Sequence, residues 1–178
     1  MNIKIYIDFD GVILDTWKII FKKYQKKYNT EEINEMNLKK IMLEIGWKSI
    51  LKDSREINNS LEKIKQLNKN QNVCVLSKVN SREEEKVKRE YLLKNGINTM
   101  CFVPYVFSKT QFVEAKGNIL IDDDIKNLND WQNHGGIPIF FNEKLCNYDS
   151  YGQKNDKYLI INDLIKIYDL MKIYGILW

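Results

Sequence analysis

The sequence predicts an α/β fold: a mostly parallel sheet flanked by helices, with a small helical cap inserted after the first strand. Three observations predict it. Short apolar runs recur at Ile3–Ile7, Val73–Leu76, Met100–Val103, Asn118–Ile121, Ile137–Phe141 and Tyr158–Ile161. Helix-like stretches separate most of them, and strands alternating with helices build parallel sheets covered on both faces. The interval from Asp8 to Val73 is far longer than a crossover needs, and it carries helical patterns of its own.

Along the chain, Ile3–Ile7 is a strand that runs into Asp8-Phe9-Asp10-Gly11. Trp17, Phe21, Tyr24 and Tyr28 then fall on one face of a helix. Thr30–Glu44 and Asn58–Leu67 also have helical patterning. Ser81–Asn95 carries a serine cap, early acids and a following Gly96 stop. Ile125–Asn133 and Asp163–Ile173 complete the helices. With 178 residues the chain suits one domain with an insertion. The expected boundaries are 1–15 and 70–178 for the core and 16–69 for the cap.

Composition narrows the function classes. The hydrophobic content of 44% is ordinary for a globular protein. No apolar run approaches the ~20 residues of a membrane span. The N-terminus has a strand pattern and no signal-peptide architecture, so a soluble, cytoplasmic protein is expected. Cys74, Cys101 and Cys146 form no CxxC pair and support neither a zinc site nor a disulfide framework. His134 is the one histidine, which excludes a histidine-rich metal site. A net charge of +4 is too mild to imply a nucleic-acid polymer, yet it is compatible with a small anionic substrate.

The chemistry lies in the polar residues at the end of each apolar run, because parallel α/β sheets bind ligands beyond the carboxyl ends of their strands. Asp8 and Asp10 follow the first run, Ser77 the second, and Asp122, Asp123 and Asp124 the fourth, with Lys109 shortly before that last strand. Like charges so close repel and resist desolvation unless a cation uses them. Carboxylate oxygens suit Mg²⁺, a hard cation that also takes phosphate oxygens. One aspartate can attack phosphorus, and another can protonate the leaving oxygen and later activate water. A serine and a lysine can hold phosphoryl oxygens. Gly11 lets the backbone turn sharply beside a ligand. The set therefore points to phosphoryl transfer.

DFDGVILDT, VLS, the lysine before the fourth strand, and ILIDDDIKNLNDW together resemble the four motifs of the haloacid dehalogenase (HAD) phosphohydrolases. The resemblance implies a Rossmann-like core and Mg²⁺ as cofactor. It implies Asp8 as nucleophile and Asp10 as general acid/base, with the Asp10 main-chain carbonyl on the metal. Ser77 and Lys109 match the phosphate-binding residues. Asp122 and Asp123 match the paired acids, the second aligning with the metal ligand. The segment from Phe102 through Asn142 is similar to the 5′(3′)-deoxyribonucleotidase-like branch, which implies a nucleoside or deoxynucleoside monophosphate as substrate. A sugar phosphate is the alternative substrate, and a noncatalytic Mg²⁺-binding domain the alternative class.

Other residues have plainer readings. Lys116 rivals Lys109, which the family spacing favours. Asp124 reads as a helix cap, Asp15 as the cap or the start of the first cap helix, His134 as a helix-end residue and Cys74 as an apolar filler. Lys22, Lys23, Lys26 and Lys27 read as a solvated face. The aromatic stripe, and Trp47 beside it, read first as core; Trp17, Phe21 and Trp47 are the candidates for stacking on a substrate base.

Overall fold

The computed structural model describes residues 3–144 and 157–173; Cys146 lies outside the described residues. Among the described residues six parallel strands form one sheet: β1 (Lys4–Ile7), β2 (Asn72–Val79), β3 (Met100–Pro104), β4 (Ile119–Asp122), β5 (Ile137–Phe141) and β6 (Leu159–Ile161). Their order is β3-β2-β1-β4-β5-β6. The order reverses between β1 and β4, so the chain ends of those two strands frame the crevice where such sheets bind ligands.

Among the described residues seven α-helices accompany the sheet: α1 (Thr16–Tyr28), α2 (Glu35–Ile45), α3 (Trp47–Asp53), α4 (Ser60–Leu67), α5 (Arg82–Lys94), α6 (Ile125–Asn133) and α7 (Ile167–Ile173). Side-chain alternation splits the core between two faces of the sheet. Ile5, Ile7, Val73 and Val75 pack with α4, α5 and α7 residues. Tyr6, Cys74, Leu76 and Leu120 pack with Leu128 and Trp131 of α6. Each fully buried Ile or Leu contributes about 1.5–3 kcal/mol relative to exposure. Trp131 satisfies its indole by donating Nε1–H to the Asn118 carbonyl at 3.0 Å.

Several boundaries differ from the sequence pattern. α2 begins at Glu35, not Thr30, because the Asn34 side chain accepts from the Asn37 amide and caps the helix there. α3 was not expected; it is short, starts from Gly46 and has no side-chain cap. β2 runs on to Val79, three residues past Leu76, so Ser77 lies inside the strand, paired with Phe102.

α1, α2 and α3 pack on one another between β1 and β2, and α3 also packs on α5. The two stems of this excursion are tied together: the Asp15 amide donates to the Arg55 carbonyl at 3.0 Å and the Ile57 amide to Ile13 at 3.0 Å. α4 starts beyond the second stem and lies against β2. The segment expected as an insertion, 16–69, therefore contains one helix that covers the sheet. No helix among the described residues is long and apolar enough to cross a membrane.

Candidate active site

The register of β1 on β4, with Ile7 beside Ile121, brings Asp8 and Asp122 to neighbouring strand ends. Lys109 joins them. Its Nζ donates to Asp8 Oδ1 and to Asp122 Oδ2, each at 2.6 Å. Lys109 is 2% exposed and Asp122 is fully buried. The lysine sits in a 3₁₀ turn, Lys109–Gln111, opened by a Ser108–Gln111 capping box. Thr110 Oγ1 pins the turn to α6 by donating to Asp130 at 2.7 Å. Burial alone would lower the Lys109 ammonium, but Asp122 and Asp8 outweigh it and hold it above the ordinary lysine range. The rival lysine, Lys116, is exposed.

Asp122 also accepts from the Asp124 amide at 2.8 Å and from Asn127 Nδ2 at 3.0 Å, so both of its oxygens are occupied. Asp123 is different: its carboxylate has no hydrogen-bond or ion-pair partner among the described residues. Burial pushes Asp123 well above the usual carboxylate range, and Asp122, Asp8, Asp10 and Asp124 push the same way. Burial likewise raises Asp8 to about 7; Lys109 opposes the rise, and Asp122 and Asp10 add to it. Asp8, Asp122 and Asp123 each offer an oxygen within 4.8 Å of the others. A half-buried carboxylate without a partner among the described residues, set beside two buried ones, fits a divalent cation such as Mg²⁺.

Gly11 makes room for this cluster. Its φ is +74°, and a Cβ there would lie 1.9 Å from Asp123 Oδ2. Gly11→Ala is expected to displace Asp123 and add about 1–2 kcal/mol of left-handed strain. The check is the melting temperature with and without Mg²⁺: the wild type is expected to gain stability from the cation, and the variant to lose most of that gain.

The Asp10 carboxylate stands apart from the cation cluster. Thr16 Oγ1 donates to its Oδ1 at 2.8 Å and Lys88 Nζ to its Oδ2 at 2.5 Å. Ser77 is fully buried, and its Oγ lies 3.3 Å from Lys88 Nζ and 3.3 Å from the Lys78 carbonyl. Thus Asp8, Lys109, Asp122 and Asp123 form one group beyond β1 and β4, and Asp10 and Ser77 meet on Lys88 beside it.

The aromatics divide. Trp17 lines a cleft of about 360 Å³ together with Gly11, Asp15, Asp123 and the Asn142–Lys144 segment after β5. Phe21 stacks on Trp17, centroids 5.7 Å apart. Trp47 is 4% exposed and lies with its ring centroid 4.6 Å from Lys88 Nζ. Asp124 caps α6 by accepting from the Lys126 amide at 2.8 Å. Asp15 precedes α1 without capping it and pairs instead with Arg55 at 3.6 Å. His134 ends α6. Lys22, Lys23, Lys26 and Lys27 are solvent-exposed, and Lys27 pairs with Glu44.

Sequence reasoning missed Thr16, Asn127, Glu84 and Lys88. A signal for the last two existed. Glu84, Val87, Lys88, Tyr91 and Leu92 follow a helical i, i+3, i+4, i+7, i+8 stripe. That stripe extends the apolar face of α5 toward the site and carries both charges inward.

The architecture defines a class: the chain has the HAD-type α/β fold. No protein-family model matches the sequence, and no curated protein matches it. Solved structures match it in shape. A conserved haloacid dehalogenase-like protein of unknown function from Agrobacterium tumefaciens superposes with a TM-score of 0.64 at 13% identity, covering 97% of this chain and 98% of its own. A HAD-superfamily hydrolase of subfamily IA from Geobacter sulfurreducens gives 0.61 at 10% identity, covering 95% and 96%. A candidate HAD hydrolase, YfnB, from Bacillus subtilis and solved with magnesium gives 0.59 at 13% identity, covering 95% and 98%. At such identities the likeness is one of fold.

Proposed function

We propose that this protein is a Mg²⁺-dependent phosphomonoesterase that forms an aspartyl phosphate on Asp8, with a nucleoside or deoxynucleoside monophosphate as substrate. The observation that carries the reading is the Asp8 carboxylate held between a buried lysine and an unpartnered aspartate. Five carboxylates, those of Asp8, Asp10, Glu84, Asp122 and Asp123, face two ammoniums, those of Lys88 and Lys109. If all are ionised the excess is three negative charges (5 − 2 = 3), which repels a phosphate ester. Asp8, Asp123 and the Asp10 carbonyl would hold Mg²⁺, with Asp122 beside them. Held there, Mg²⁺ would supply the missing positive charge and polarise phosphoryl oxygens.

The chain's own residues do the rest. Lys109 orients Asp8 through Oδ1, leaving Oδ2 free of donors among the described residues to attack phosphorus. Ser77 and Lys109 bind phosphoryl oxygens as charge develops on them. Asp10 gives a proton to the leaving oxygen as the ester P–O bond breaks. It then takes a proton from the water that hydrolyses the aspartyl phosphate. Within residues 16–69, α1, α2 and α3 act as the cap, with α1 bordering the cleft.

Trp17 is the aromatic placed to read the substrate's far end, because it shares the cleft with Asp123. Base stacking contributes about 1–3 kcal/mol. Trp17→Ala is therefore expected to raise KM for a nucleoside monophosphate by roughly 5- to 150-fold. KM for glycerol phosphate, which has no base, should hardly change. Equal losses on both would assign Trp17 to folding.

A panel of phosphorylated metabolites, assayed with and without EDTA, tests the whole reading. Release of phosphate from nucleoside monophosphates that EDTA abolishes is the expected result. Turnover of sugar phosphates alone would change the substrate class. Mg²⁺ binding without turnover of any ester would leave a noncatalytic domain.

A further inference from the structure

The mechanism above has no use for Lys88, yet this lysine is fully buried and touches two of the site's working residues. Its Nζ donates to Asp10 Oδ2 at 2.5 Å, to Glu84 Oε1 at 2.7 Å and to Ser77 Oγ at 3.3 Å. All three of its N–H donors are thereby used. The rings of Trp47, at 4.6 Å, and Phe9, at 5.2 Å, close over the ammonium. Glu84 in turn is held by the Asn80 amide, which donates to its Oε2 at 2.8 Å. The network thus runs from the Asn80 amide through Glu84 and Lys88 to Asp10, and ends at Thr16.

A fold has little need of such a network. Replacing a buried ion pair with apolar groups of similar volume is often neutral or stabilising. Placing Glu84 and Lys88 on the inward stripe of α5, where Val87 and Leu92 are the ordinary occupants, therefore calls for a use. The contacts state what it is. Lys88 and Thr16 take one oxygen each of the Asp10 carboxylate, fixing its plane. They hold that carboxylate away from the Asp8, Asp122 and Asp123 oxygens that group for a cation.

We infer that Lys88, anchored by Glu84 and covered by Trp47, is a positioning residue that aims the Asp10 carboxylate at the leaving oxygen of the substrate. The inference rests on the phosphomonoesterase reading and deepens it. Trp47 belongs to α3, so the clamp also ties the insertion to the acid/base. A misplacement of about 1 Å in such a group costs on the order of 10²-fold.

The test compares two esters by kcat/KM, which covers steps up to release of the leaving group. p-Nitrophenolate leaves without protonation, whereas an alkoxide needs the proton that Asp10 delivers. The paired variant Glu84→Gln/Lys88→Met removes the clamp and one charge of each sign, leaving the Asp10 carboxylate held by Thr16 alone. It is expected to lose on the order of 10²-fold in kcat/KM for a nucleoside 5′-monophosphate and less than about tenfold for p-nitrophenyl phosphate. Both esters are read on one preparation, so loss of folded protein lowers both and leaves the ratio unmoved. Thr16→Val, which removes the other half of the clamp without changing charge, should shift the ratio in the same direction. An active wild type with an unmoved ratio in both variants would overturn the role of Lys88 alone. A wild type inactive on both esters would overturn the phosphatase reading and this one with it.

Discussion

Asp8→Asn is expected to abolish turnover, with kcat falling on the order of 10⁶-fold, the scale reached when a covalent nucleophile is removed. The amide keeps the shape of the side chain but is no longer nucleophilic towards phosphorus. The fold should survive. Folded Asp8 titrates near 7, above the ~4 of an unfolded aspartate. Any stability this group gives the metal-free protein is whole below the unfolded value and is lost as pH rises through about 7. At pH 8 the metal-free variant should therefore melt at or above the wild type's temperature. Steady-state kinetics and a thermal melt on one preparation check both halves. A variant that retained near-normal turnover would rule out covalent catalysis at Asp8.

Lys109→Met is expected to have the largest effect on stability. The lysine is the one cation within hydrogen-bond reach of both Asp8 and Asp122 among the described residues. Its loss leaves two buried carboxylates facing each other beside Asp123. Breaking a buried pair by removing one partner costs about 3–5 kcal/mol. For a chain of this size that lowers the melting temperature by roughly 6–20 °C. Asp122→Asn in the same chain removes one of the stranded charges and should recover part of the loss. Activity should not return with it, because the phosphoryl-binding ammonium is still missing. Thermal melts of the single and double variants decide the point; additive losses would contradict the assigned coupling.

Much of this was legible in the sequence because it depended on local pattern. Ile125–Asn133 forms a helix with the predicted bounds, since Asp124 is a good cap placed directly after a strand. Ser81 starts α5 by accepting from the Glu84 amide at 3.1 Å, and Gly96 follows its end at φ +77°. The preference for Lys109 over Lys116 rested on the spacing of the family resemblance, and of the two Lys109 is the buried one. The features that stayed hidden depended on tertiary placement. Within SREEEKVKREYLLKN nine of fifteen positions are charged, and composition alone makes Lys88 look solvated. Only its place on the Val87–Leu92 stripe, and α3 closing over it, bury it. Trp47 gave no helical signal because α3 is short and begins from a glycine. Trp17 and Phe21 read as a core stripe in sequence, yet Trp17 borders the cleft because α1 starts directly at the stem of the insertion.

The most direct measurement of the central claim is a rapid acid quench of the wild type during turnover of p-nitrophenyl phosphate with Mg²⁺. Borohydride reduction of the quenched protein comes next, and then peptide mass spectrometry. An aspartyl phosphate is reduced to homoserine, so homoserine should replace aspartate at position 8, and omission of substrate should abolish the change. Turnover with Asp8 unmodified, or with the reduced residue at another aspartate, would contradict the account.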